Sequence, residues 1–194
     1  MKNYLSIILS TTLFSCSSIE VQETNIEVVE IDENIKFISY LDNDWQKNLD
    51  ENPLFASYVG DKRSNDKINS NSINQFNEER QSEIDSLNQL YEIDQSKLNE
   101  ENKLNFKLKE FGLKSNIGLT DFPIYYLRLN QRGGIQSFYE TGNRLVYNSK
   151  DDYVDWLSRL KQFPANIINS IEINKEGLSK GITQPKLITE GVVT

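Results

Sequence analysis

The stretch DDYVDWLSRLKQFPANIINSIEINKEGLSKGITQP, residues 151–185, carries the densest helical signal in the chain. Ser149 with Asp152 three residues on forms a capping-box pattern, in which short polar side chains satisfy the orphan amides of a helix start. Tyr153, Trp156, Leu157 and Leu160 recur at helical steps, and such a stripe predicts a buried face. Phe163-Pro164 predicts a break, because proline lacks the amide proton and crowds the preceding turn. Pro164 can then open a second helix, with Ile167, Ile168, Ile171 and Leu178 as its buried face. Gly181 is placed to end that helix, and Thr183 and Pro185 to start a third. The reading is a helical hairpin feeding another helix.

The same periodicity runs upstream. Ile35, Ile38, Leu41, Trp45 and Leu49 predict an amphipathic helix from about residue 34. Asn52-Pro53 opens a short one carrying Leu54, Phe55 and Tyr58 inward and closed by Gly60. Residues 61–72 are polar and loop-like. Ile73, Phe76, Ile84, Leu87 and Tyr91 mark a long third helix. Residues 98–111 give a fourth, with Leu104, Leu108 and Phe111 on one side and Gly112 near its end. The run IYYLRL at residues 124–129 reads as extended, and Gly133-Gly134 as a turn. The expected fold is all-α, about six helices in hairpins, with at most a small strand pair.

Composition narrows the chemistry. The 194 residues contain no histidine, which removes the usual general base, the usual zinc ligand and Ser-His or Cys-His nucleophile pairs. A formal charge of -8 argues against a nucleic-acid partner, which calls for a basic surface. With one cysteine there is no disulfide to build.

The N-terminal residues read as a targeting segment: Lys2, then an apolar run too short to span a bilayer, then Leu13-Phe14-Ser15-Cys16. That spacing resembles a bacterial lipobox, which implies a diacylglycerol-modified Cys16 and a lipid-anchored protein of the bacterial cell envelope. The expected organisation is a lipoprotein signal peptide over residues 1–15, an acidic tether over 16–33, and a helical domain over 34–194. The tether reading rests on acids recurring without bases at Glu20, Glu23, Glu27, Glu30, Asp32 and Glu33.

Local motifs offer little catalysis. Ser64-Asn65-Asp66-Lys67 matches S-x-x-K, but no S-D-N or K-T-G element accompanies it. Asp42 and Asp44 lack the glycine of a calcium loop. Asp151, Asp152 and Asp155 fit a helix N-terminus as readily as an acid pair. Arg159 is the lone charge of interest: it can meet a buried acid, or stack on an aromatic ring.

Four segments, taken in order, resemble the bacterial domain-of-unknown-function 885 family. NPLFASYVGDKRSND contributes Pro53, Ala56, Gly60, Asp61 and Arg63. LRLNQRGGIQ contributes Gln131 and Gly134, and DDYVDWLSRLKQFP contributes Trp156, Arg159 and Leu160. GLSKGITQPKLI contributes Gly181 and Pro185. The resemblance implies a longer, largely helical, metallopeptidase-like envelope protein, with a His-Glu zinc helix downstream of these residues. It therefore assigns the matched residues to scaffold, and no catalytic residue, metal ligand or cofactor to this chain, zinc belonging to a full-length parent. The expected partners are the membrane, through Cys16, and the C-terminal part of the same fold. A stand-alone envelope lipoprotein serving as a binding or structural module is the alternative.

Overall fold

The structure, a computed structural model, describes residues 31–131 and 133–193. The signal, Cys16 and most of the tether lie outside the described residues. Seven α-helices follow in order: α1 (Glu33–Glu51), α2 (Pro53–Tyr58), α3 (Ile73–Tyr91), α4 (Glu100–Leu119), α5 (Tyr139–Arg144), α6 (Lys150–Ser179) and α7 (Lys186–Val193). The all-α expectation holds: the anticipated strand pair reduces to one isolated bridge, Asn130 to Gly133, and residues 124–127 form a 3-10 turn.

Helix ends follow local chemistry. Asp32 and Ser72 cap α1 and α3 through their side chains, so the domain begins two residues inside the expected tether. Pro53 opens α2 as read, but the expected Asn52 cap does not form: its side chain donates back to Asn48 on α1 instead. Gly60 closes it at φ +89°: its amide bonds Ser57 O and the Asp61 amide bonds Ala56 O. Gly181, at φ +71°, does the same for α6, with Gly181 N on Leu178 O and Ile182 N on Gly177 O. These paired bonds are a Schellman cap, and the left-handed residue favours glycine because it has no Cβ to clash.

Two boundaries differ from the expectation. Gly112 does not end α4, which runs on to Leu119. Glycine in a helix costs about 1 kcal/mol, less than the packing of Phe106 and Leu113 on either side sustains. Nor does Pro164 break α6, which is a single 30-residue helix with the proline inside. The proline forfeits one helical hydrogen bond, but side chains before and after it, Arg159, Gln162 and Asn166, bind one common loop and hold both halves in line.

The core joins α1, α3 and α4: Phe37, Tyr40, Leu90, Ile93, Leu98, Phe106 and Leu113, with Leu41 and Leu87 against them. Phe37 meets Phe106 at 6.0 Å between ring centres. Leu41, Leu49, Phe76 and Leu87 of the expected faces are buried or packed against the core, but much of the rest is rotated outward. Ile35, Ile38, Trp45, Leu104, Leu108 and Phe111 are exposed, as are Phe55 and Tyr58 of α2, where Pro53 and Ala56 point inward instead. On α6, Tyr153, Leu157, Leu160, Ile167, Ile168, Ile171 and Leu178 all face outward. Its inner face is Asp152, Trp156, Arg159, Phe163, Asn166, Ser170, Ile173 and Gly177, at regular three- and four-residue steps. That face is largely polar because it meets a loop with no regular structure, whose backbone groups need partners.

Candidate functional site

That loop, residues 61–72, runs along α6 and is bonded to it throughout. Lys62 pairs with Asp152. Arg159 Nε donates to Lys67 O (2.9 Å), and Nη2 donates to Ser64 O (3.2 Å), Pro53 O (3.1 Å) and Ser57 Oγ (2.6 Å). Gln162 donates to Asp66 O (2.6 Å), and Asn166 to Asn69 O (2.9 Å). Asn71 returns both amide hydrogens, to Asn166 O (3.0 Å) and Ser170 Oγ (2.6 Å). Its carboxamide oxygen is buried without a donor.

Arg159 is the centre of this seam. It is 1% exposed and among the three largest fully buried side chains. Burial pushes its pKa below the usual guanidinium value, opposed by the nearby charges of Asp155 and Asp66. Among the described residues it forms no ion pair with a carboxylate and no cation–π contact with a ring. Carbonyl and hydroxyl dipoles satisfy it, so both sequence readings of Arg159 are replaced by a third. Ser64 and Lys67 of the S-x-x-K match meet Arg159 through their carbonyls.

Asp152 is equally committed. It accepts from Asn148 N, Ser149 N and Ser149 Oγ, each at 2.9 Å, and from Lys62. The Lys62 ammonium first, then the Ser149 hydroxyl and Asn148 amide, hold its carboxyl well below the usual carboxylate range. A carboxylate so bound is a structural anion, not an acid awaiting a proton. Beside it, Asp61 accepts from its own loop at Arg63 N, while Arg63 reaches back to Asp50 (2.9 Å) and Gln46 (2.7 Å) on α1.

The family-motif residues thus fall into two groups at opposite ends of α6. Pro53, Gly60, Asp61, Arg63 and Arg159 share the anchor just described, with Trp156 next to it. The Trp156 indole stacks on Phe138 at 5.5 Å, and a Cβ on Gly142 would stand 2.6 Å from its Cζ2. Leu160 joins none of this and is 39% exposed. At the other end, Gly181 turns the chain back, so that Gln184 donates to Leu127 O and Gly177 packs against Tyr126. Pro185 O accepts the first amides of α7, and Gln131 lies beneath Gly191. Gly134, at φ +130°, closes the turn before Ile135.

A second polar cluster was not foreseen. Between α1, α3 and α4 lies a cleft of about 430 Å³. Tyr40 shares its proton between Ser86 Oγ (2.8 Å) and Ser86 O (3.1 Å), Ser86 Oγ donates to Asp44 Oδ1 (2.7 Å), and Lys109 holds Asp44 Oδ2 (2.5 Å). Burial raises the Tyr40 hydroxyl to about 12, against the pull of the Ser86 bond and with the Asp44 charge assisting. Burial also raises Glu83, countered by the Asn116 amide at 2.9 Å. Asp44 thus accepts from both the Ser86 hydroxyl and the Lys109 ammonium, while Tyr40 stays protonated. Asp44 is thereby a helix residue in an ion pair, not part of a calcium loop. The signal available in sequence was polar residues at core spacing: Tyr40 with Asp44, and Glu83 with Ser86.

A third feature is a cavity of about 300 Å³ between residues 125–141 and the second half of α6, with Leu129, Ile135, Phe138 and Ile173 among its walls. Among the described residues, no group of three or more acids or cysteines is placed to hold a metal ion, so the donor set does not fit zinc.

Comparison with known proteins completes these observations. A family model described as "Bacterial protein of unknown function (DUF885)" matches residues 53–194. No curated protein and no solved structure matches the chain.

Proposed function

The chain belongs to the bacterial DUF885 family, and on that premise we propose that it is the N-terminal helical scaffold of a metallopeptidase-like envelope lipoprotein, with no catalytic group of its own. The observation that carries this reading is the outer face of α6. Tyr153, Leu157, Leu160, Ile168, Ile171 and Leu178 form an exposed apolar stripe along the helix, beside the face already taken up by the loop. Monomeric proteins rarely leave so long a stripe in water. In the proposal it is covered by the C-terminal part of the same fold, which also carries the zinc ligands that this histidine-free sequence lacks. The Leu13-to-Cys16 spacing supplies the lipid anchor, and residues 16–31 the tether between bilayer and domain.

The test is the intact mass of the native product, captured from membranes with an antibody against residues 34–194. The expected result is a lipid-modified polypeptide well above the 22.5 kDa of residues 1–194. A monodisperse lipoprotein of about this size would instead favour a stand-alone module whose α6 stripe receives another envelope protein.

A further inference from the structure

We propose that the cavity of about 300 Å³ against the second half of α6 binds an apolar amino-acid carboxylate, free or at the end of a peptide. The volume lies at the small end of ligand pockets and admits one amino-acid unit with part of a flanking peptide. Leu129, Ile135, Phe138 and Ile173 give it apolar walls. Arg128 is its one charged lining residue among the described residues. The guanidinium lies 5.3 Å over the Phe76 ring, with no carboxylate in ion-pair range among the described residues. One face is thus held by the aromatic ring while the N–H edge has no acceptor, the arrangement that suits bidentate capture of a carboxylate. Asn174 lines the same space, half-buried, and its carboxamide has no hydrogen-bond partner among the described residues.

Cation, free carboxamide and apolar wall define the ligand class by elimination. An amine is repelled by Arg128. Inorganic phosphate leaves the apolar wall unused. A fatty acid matches wall and cation but leaves Asn174 unpaired inside a filled pocket, which is unfavourable. An amino-acid unit offers all three complements: carboxylate to Arg128, backbone N–H or C=O to Asn174, and side chain to the wall. The site uses residues of this chain alone and stands independently of where catalysis resides.

Titration calorimetry on the full protein in detergent tests the assignment with four probes. N-acetyl-leucine should bind saturably, with a dissociation constant on the order of 1 mM or tighter. N-acetyl-leucinamide, lacking the charge, and octanoate, lacking the amide, should each bind about tenfold more weakly, each having lost one of the polar complements. Leucine against N-acetyl-leucine tells the free amino acid from the peptide end, both within the proposed class. Arg128→Gln should erase the preference for acid over amide, with near-UV circular dichroism unchanged since Arg128 is exposed, and Asn174→Ala should erase the preference for N-acetyl-leucine over octanoate. Equal binding of acid and amide, tighter binding of octanoate, or no saturable binding of any probe would overturn the site.

Discussion

Arg159 Nη2 donates to the carbonyl of Pro53 at 3.1 Å, joining two family-motif residues 106 positions apart. The same nitrogen reaches Ser57 and Ser64, so one guanidinium gathers α2, the loop and α6. Buried carbonyls need donors, and here a single side chain supplies several.

Removing that donor should therefore cost far more than a surface charge. Arg159→Met keeps much of the length but leaves Lys67 O without its donor and takes one of two donors from Pro53 O and Ser64 O, which keep Ser57 Oγ and the Lys67 amide. The expected loss is about 2–3 kcal/mol, the range for losing hydrogen bonds from a charged donor with one buried carbonyl left unpaired. Arg159→Lys should recover part of it, since an ammonium cannot span all the acceptors. Urea denaturation midpoints measure both, and a midpoint for Arg159→Met equal to wild type would contradict the anchor.

Asp152 gives a pH signature. Its folded pKa lies below the unfolded value of about 3.9, so its contribution is complete above that pH and is lost as pH falls through the folded value. Asp152→Asn keeps the shape without the charge. It should be less stable than wild type at pH 7, and the gap should narrow steadily below about pH 4. Urea midpoints at several pH values test this; a gap independent of pH would mean that the Lys62 pair contributes nothing through charge.

Trp156 and Gly142 should be coupled. Trp156 is half-buried, so Trp156→Ala should cost about 2 kcal/mol, below the range for a fully buried indole. Gly142→Ala places a Cβ 2.6 Å from the ring and should destabilise wild type, yet be tolerated once the indole is gone. A double-mutant cycle reads the difference, expected at about 1 kcal/mol or more. Strict additivity would place the indole elsewhere.

These cases show which parts of the fold were legible. Helix ends were read correctly at Ser149 with Asp152, at Pro53, at Gly60 and at Gly181, because a cap is decided by residues within one turn of it. Helix faces were misread, because α6 carries two stripes and the more apolar one is not the buried one. Tyr153, Leu157 and Leu160 look like core, while Asp152, Arg159 and Asn166 look like surface. Burial went to the second set because the loop needed hydrogen bonds, a tertiary demand no local pattern records. Pro164 was misread for the same reason: the bonds that hold the helix through it come from residues almost a hundred positions away. The polar cluster around Ser86 went unseen because its members lie on three helices.

The anchor proposal has its own test. Cys16→Ser should abolish palmitate labelling and move the protein from the membrane fraction, as either an unprocessed or a soluble species. The motive is the Leu13-to-Cys16 spacing behind a short apolar run. Unchanged labelling and fractionation would remove the lipoprotein reading and leave the domain without an assigned compartment.

The central claim is that the outer stripe of α6 is an internal surface of a larger protein. Ile168, 56% exposed here, reports on it directly when replaced by cysteine and probed with a maleimide. Labelling is compared between the native membrane product and residues 17–194 expressed alone, the latter free of Cys16. The account predicts rapid labelling of residues 17–194 and strong protection in the native product, lifted by denaturant. Equally rapid labelling of both would leave the stripe facing water in the cell, and would contradict the scaffold reading.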